Sequence, residues 1–180
     1  MFRRALFIGR FQPFHLGHLH ALMYILSKSR EVVIGIGSSQ EAYTPKNPFS
    51  AGERYEMIRL VLKRRNLLDR CMIVYIPDSG GRHLNWGQIV KQHVPHGIDI
   101  AYSNDPITVK LLEEAGFKVR NIPFKNRRVL NATYIRTLMA KGLKWEKYVP
   151  EEVASYIKAI HGVERVRILY QIYSSPRTYV

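Results

Sequence analysis

Ala5-Leu-Phe-Ile-Gly-Arg-Phe-Gln-Pro-Phe-His-Leu-Gly-His18 is the stretch that decides the fold. Its first five residues, Ala5–Gly9, have the length and the branched and aromatic content of a buried strand. Helical spacing then takes over from His18, with Leu19, Leu22, Met23 and Leu26 on one face. Between the two, Gly9 lets the chain turn tightly, Pro13 stiffens the loop, and Gly17 allows close backbone approach where the helix begins. The segment is neither a G-x-G-x-x-G fingerprint nor a P-loop ending in Gly-Lys-Ser/Thr. It shares their logic, because a strand leads through a glycine-eased turn to a helix N-terminus, whose free N–H groups attract anions. His15 and His18, three residues apart, project from the first helical turn toward one point, with Arg10 beside them. The plainer alternatives are a polar surface patch, a satisfied core pair or, with His20, a metal site. No Cys or carboxylate lies close enough in sequence to complete the last of these. Position after the first strand favours phosphate handling.

Outward from this stretch, further apolar runs read as strands: Glu31–Gly37, Met72–Pro77, Ile98–Tyr102 and, less regularly, Phe117–Ile122. Helical patterns fill the gaps over His18–Ser29, Ser50–Arg65, Leu84–His93 and Pro106–Ala115, and recur over Pro150–Ile160 and Gly162–Tyr173. Ser50 followed by Glu53 has capping-box spacing, which assigns Glu53 to structure. Strand and helix alternating at this spacing predict a parallel sheet with right-handed crossovers. The expectation is one α/β domain over residues 1–173, a Rossmann-like open parallel sheet with helices on both faces and C-terminal helices, with 174–180 as a frayed tail. Ligands of such sheets bind beyond the carboxyl ends of the strands. That directs attention to Arg10–His18, Ser38–Phe49, Asp78–Trp86 and Ser103–Pro106.

The chain has 180 residues, with 28 Lys/Arg against 14 Asp/Glu, a formal net charge of +14. An anionic partner follows: nucleic acid, a membrane surface or a phosphorylated small molecule. Residues 1–117 hold 15 Lys/Arg and 10 Asp/Glu, and residues 118–180 hold 13 and 4, so the excess leans toward the C-terminal third, away from the first loop. No RRM, KH or zinc-finger pattern supports a nucleic-acid-binding protein as the main function. A single cysteine, Cys71, excludes an intramolecular disulfide framework and reads as a small core residue. The apolar core of the N-terminal segment is too short for a signal peptide, so the expected location is the cytoplasm. Lys63-Arg-Arg65 and Arg127-Arg128 read as solvated faces.

The stretch Gly9–His18 resembles the H-x-G-H signature of the nucleotidyltransferase α/β-phosphodiesterase superfamily, and its flanks resemble the archaeal nicotinamide-nucleotide adenylyltransferases. Matching blocks follow in order: Gly35–Gln40, Lys46–Arg54, Trp86, Tyr102–Pro106, Asn131–Arg136 and Gly162–Arg165. The resemblance runs to about Leu169. It implies transfer of the adenylyl group of ATP to the 5′-phosphate of nicotinamide mononucleotide, giving NAD and pyrophosphate by direct in-line attack. Mg2+ bound with ATP is implied, and so is a homo-oligomer, often a hexamer among relatives. The competing enzymatic reading is another H-x-G-H nucleotidyltransferase, acting on phosphopantetheine, a flavin precursor or an alcohol phosphate. Trp86 and the Lys46–Arg54 block argue against it.

By the same resemblance, His15 and His18 contact the ATP phosphates, Arg10 and Lys46 neutralise charge at the reacting centre, and Arg136 holds the β- and γ-phosphates. Asn131 stands where the family's S-x-T-x-I-R block has Ser; it remains a good N-cap but brings no hydroxyl to a phosphate. The loop Ser103–Pro106 also departs from the commoner S-G-N pattern. Trp86 is expected to stack on the pyridinium ring. Gly9, Phe11, Gln12, Gly17, Asn131 and Thr133 are expected along the substrate, with Ser38, Ser39 and Gln40 at the carboxamide or ribose. Asp78 is open to a ribose or magnesium role. No protein-held metal site is expected.

Overall fold

The computed structural model describes residues 1–80, 86–123 and 130–174. Five strands, β1 Phe2–Gly9, β2 Ser29–Ile36, β3 Cys71–Tyr75, β4 Ile100–Tyr102 and β5 Val119–Arg120, form one sheet in the order β3-β2-β1-β4-β5. Every pairing is parallel. The helices are α1 Leu16–Leu26, α2 Ala51–Arg64, α3 Trp86–His93, α4 Pro106–Glu114, α5 Ala132–Ala140, α6 Glu151–Ala159 and α7 Gly162–Ser174.

Alternation along the strands sends side chains to two cores. Ala5, Phe7, Val32, Ile34, Ile36 and Tyr102 face the larger one, filled by Leu22 and Ile25 of α1, Met57, Ile58 and Val61 of α2, and the C-terminal helices. Leu6, Val33 and Ala101 face the smaller one, closed by Val90 of α3 and Leu112 of α4. This is the Rossmann-like sheet covered on both faces that the sequence predicts.

The differences lie at element edges. The first helix starts at Leu16 rather than His18, because the His15 ring caps it, and ends at Leu26 so that Ser29 can open β2. β3 begins at Cys71 and stops at Tyr75, and β5 is only two residues long. Cys71 is half-buried at the edge strand rather than within the core, although burial still pushes its thiol up to about 12. Arg65 is a correction to the solvated-face reading: it forms an ion pair with Glu152 that ties the end of α2 to α6. Leu84 and Asn85, Arg127 and Arg128, and residues 175–180 lie outside the described residues, whereas Ser174 is the last residue of α7.

The strand order reverses between β1 and β4, so the crevice beyond their carboxyl ends is the topological switch point. Gly9 ends β1 there and Tyr102 ends β4.

Candidate active site

Three cavities open at this end of the sheet, and Arg10 borders all of them. The first, about 440 Å³, lies over the loop after β1. Three helix starts converge on it, because the N-caps of α1, α4 and α5 (His15, Asp105 and Asn131) all lie in its wall. The Asp105 carboxylate accepts from Thr108 N at 2.8 Å, and Asn131 Oδ1 accepts from Tyr134 N at 2.8 Å. Each cap satisfies only part of its helix start, which leaves other N–H groups and the positive dipole ends directed at the space between them.

His15 and His18 cap α1 reciprocally. His18 N donates to His15 Nδ1 and His15 N donates to His18 Nδ1, each at 3.3 Å. The rings stack 3.6 Å apart at 23°. With both Nδ1 atoms accepting, the neutral rings carry their protons on Nε2. Burial lowers the His15 pKa to about 4, and burial together with the neighbouring His15 holds His18 well below 6.5. Near neutral pH the pair is therefore two uncharged imidazoles with a donor on each. Phe11 sits edge-on to His18 with centroids 4.8 Å apart and fixes its face. A side chain at Gly9 would strike the Phe11 ring at 2.9 Å, and one at Gly17 would strike the His15 ring at 2.9 Å, so both glycines are required by close approach.

Two buried arginines hold the loops in place. Arg54, fully buried on α2, donates to the carbonyls of Arg10, Gly37, Ser38 and Ser50 at 2.7–3.3 Å. Burial lowers its pKa to about 10, so it remains a cation at neutral pH. Arg136 on α5 donates to Gln12 O at 2.8 Å, Pro45 O at 3.0 Å and Thr133 Oγ1 at 3.3 Å. Arg136 still borders the first and third cavities, with two of its donors engaged on backbone carbonyls and one on the Thr133 hydroxyl. The third cavity, about 460 Å³, joins Arg10, Lys46, Thr133 and Arg136 to Tyr170 and Tyr173 of α7. Lys46 is exposed, and nothing local in the sequence marked the two tyrosines for this place.

The second cavity, about 570 Å³, holds Trp86 at the start of α3 with Gly9, Ser38 and Asp78. Ser38 Oγ donates to Asp78 Oδ1 at 3.1 Å, Gln40 Nε2 donates to Asp78 Oδ2 at 3.2 Å, and Asp78 N donates to Gln40 Oε1 at 3.0 Å. The donors of Ser38 and Gln40 are thus turned onto a protein carboxylate, and Ser39 borders none of the three cavities. Phe11 and Gln12 border the first cavity while also serving the fold: Phe11 is buried, and Gln12 clamps the Phe49 backbone through both amide atoms at 2.8 and 3.0 Å. Glu53 caps α2 and pairs with Arg165 at 2.7 Å. Among the described residues, no group of three His, Cys, Asp or Glu side chains is placed to hold a metal.

Comparison with known proteins gives one consistent answer. The cytidylyltransferase-like family model matches residues 6–138. The chain is 42% identical over 165 residues to nicotinamide-nucleotide adenylyltransferase 1 of Sulfolobus acidocaldarius, covering 91% of this chain and 94% of that protein. It is 44% identical to the Archaeoglobus fulgidus nicotinamide-nucleotide adenylyltransferase over 91% of this chain and 95% of that one. A bifunctional NMN adenylyltransferase/ADP ribose pyrophosphatase from Francisella tularensis, solved with AMP and a manganese ion, superposes with TM-score 0.79 at 25% identity over 95% of this chain. The chain spans about half the length of that larger protein, 52%. The family model and the relatives' identity over nine-tenths of the chain lead to one conclusion: the chain belongs to the cytidylyltransferase-like family and, within it, to the nicotinamide-nucleotide adenylyltransferases.

Proposed function

We propose that this chain transfers the adenylyl group of ATP to the 5′-phosphate of nicotinamide mononucleotide, forming NAD and pyrophosphate. The observation that carries the reading is the junction at Arg10. One cavity is lined by imidazole donors and three helix starts, a second by Trp86, and a third by Lys46 and Arg136; all three share Arg10 in their walls.

A phosphate oxygen of the mononucleotide attacks the α-phosphorus of ATP, a new P–O bond forms, and the bond to the β-phosphate breaks as pyrophosphate leaves. The nucleophile is already an anion, so no side chain has to remove a proton. The protein's task is to align two repelling anions and stabilise the charge that grows on the transferred group. Helix starts and neutral Nε2–H donors suit this well, because they bind oxyanions without adding mobile charge. Arg10 sits between the substrates, and Lys46 with Arg136 faces the departing pyrophosphate. Arg136 bonded to Gln12 O also keeps the first loop in register with α5.

Mg2+ would enter bound to ATP and would supply positive charge that lowers the repulsion between the phosphates. A cytoplasmic site of action fits the use of ATP. A homo-oligomer is supported by α7, whose outward face exposes Ile168 and Ile172, each more than half accessible. The deciding experiment is a coupled assay for NAD from ATP and nicotinamide mononucleotide. Turnover with phosphopantetheine but none with nicotinamide mononucleotide would overturn the reading.

A further inference from the structure

The Gly162–Arg165 block at the start of α7 borders none of the three cavities, yet it packs on the segment that carries Lys46. A side chain at Gly162 would strike the Phe49 ring at 2.8 Å, so the helix start lies directly against the end of that segment. Arg165 donates to Pro48 O at 3.3 Å and to Glu53 Oε2 at 2.7 Å, and its guanidinium lies 4.8 Å from the centroid of the Tyr43 ring. Glu53 is itself fixed, because the same Oε2 accepts from Ser50 N at 2.8 Å. The two side chains are only 18% and 16% exposed, so their attraction is screened less than that of a surface pair.

Lys46 lies between two anchored carbonyls. Arg136, in the wall of the third cavity, donates to Pro45 O at 3.0 Å, and Arg165 donates to Pro48 O from outside it. The turn between them closes on itself, with Thr44 N and Asn47 N each bonded to the other residue's carbonyl at 3.2 and 3.1 Å. Tyr43 leads into this turn at φ +56°, a left-handed conformation that a non-glycine residue keeps when its surroundings hold it there. The Lys46 side chain is exposed, so the frame of its backbone determines where the ammonium can reach. We propose that Arg165 is a positioning residue for the pyrophosphate end of ATP, fixing from outside the cavity the segment that presents Lys46 to the leaving group. The inference rests on the reaction proposed above. A Lys46 segment freed from this clamp meets the phosphates only part of the time, which weakens their binding and the charge stabilisation as they leave. None of these Arg165 contacts reaches a residue of the second cavity.

The test measures KM for ATP, for pyrophosphate in the reverse direction and for nicotinamide mononucleotide. It is run on the wild type, Arg165→Met, Lys46→Ala and the double variant, with a thermal melt of each. Arg165→Met is expected to raise KM for ATP and pyrophosphate about fivefold or more, and to leave that for the mononucleotide within about twofold. Lys46→Ala should do the same. Adding Arg165→Met to it should bring less than about a twofold further rise, because the cation being positioned is gone. Full multiplication of the two effects overturns the proposal, as do unchanged constants. A parallel rise for the mononucleotide also overturns it, since Arg165 would then be a general support of the fold. Should Arg165→Met not fold, Glu53→Gln decides the matter, because it keeps the α2 cap and removes the charge that orients Arg165. The same selective rise, lost in the Lys46→Ala background, is expected there, and any other pattern overturns the proposal. Failure of the underlying reaction looks different: the wild type would then form no NAD from ATP and nicotinamide mononucleotide, and the inference would fall with it.

Discussion

The two sides of the crevice that we assign to the phosphates and to the pyridine ring are built in opposite ways. On the phosphate side, the groups come from helix starts, where cap and ligand site are the same few residues: His15 and His18 on α1, and Asn131 on α5. Their geometry is set by local backbone hydrogen bonds. On the pyridine side, Ser38, Asp78 and Trp86 come from the ends of β2 and β3 and the start of α3, and they meet only because the sheet places them together. A charge-binding site can be assembled from one turn of backbone, while a site that reads the identity of a ring draws on distant segments.

Arg54 is the point at which both sides fail together. Its guanidinium bonds Arg10 O on the phosphate loop and Gly37 O and Ser38 O on the pyridine side. Arg54→Ala leaves these buried carbonyls without donors, and the expected cost is about 3–5 kcal/mol. Thermal unfolding should show a fall of about 10 °C or more, with KM raised for both substrates. A loss below about 1 kcal/mol would mean that the loops hold themselves.

His18→Ala breaks the phosphate side alone. Removing one preorganised donor from the transferred phosphoryl group should lower kcat about 10²–10³-fold, with KM for the mononucleotide little changed. Circular dichroism should show an intact fold, since the lost cap is worth only about 1 kcal/mol. Near-normal turnover in a folded variant would remove His18 from the chemistry.

His15 tests the same side through pH. The unfolded chain protonates this imidazole near 6.5, whereas the folded one keeps it neutral down to about 4. Between those values the unfolded state binds more protons, so stability is full above pH 6.5 and falls as pH drops toward 4. The expected loss across that window is about 1–3 kcal/mol. His15→Asn keeps a cap of good quality and should flatten the slope in urea melts at stepped pH. Identical slopes in the two proteins would show that His15 is not held neutral by the fold.

This contrast also explains what could be read from the sequence. Capping boxes and N-caps are local, so Ser50 with Glu53 and Asn131 as a cap were legible before any coordinates. Ser38 and Gln40 were visible as polar residues after a strand. Their commitment to Asp78, some 40 positions away, was not, because no spacing in the chain encodes the parallel pairing of β2 with β3. Tyr170 and Tyr173 reach the third cavity through the packing of α7 on α5, which is equally silent in sequence. Part of the basic excess after residue 117 is accounted for in the same way. Arg136, Arg165 and Arg167 donate to Gln12 O, Pro48 O and Met139 O, so they act as staples for carbonyls.

Trp86→Ala carries the smallest expected effect and isolates the pyridine side. A face-on aromatic contributes about 0.5–2 kcal/mol to a cationic ring, so KM for nicotinamide mononucleotide should rise about 3–30-fold. Trp86 also packs against the smaller core with Ile8 and Val74, and truncation alone would confuse lost stacking with lost packing. Trp86→Phe separates them, because it keeps an aromatic face with a weaker quadrupole while restoring much of the contact. Stacking predicts an intermediate KM for Trp86→Phe and an unchanged KM for ATP in both variants. If both constants rise in parallel, Trp86 serves the wall of the cavity rather than the ring.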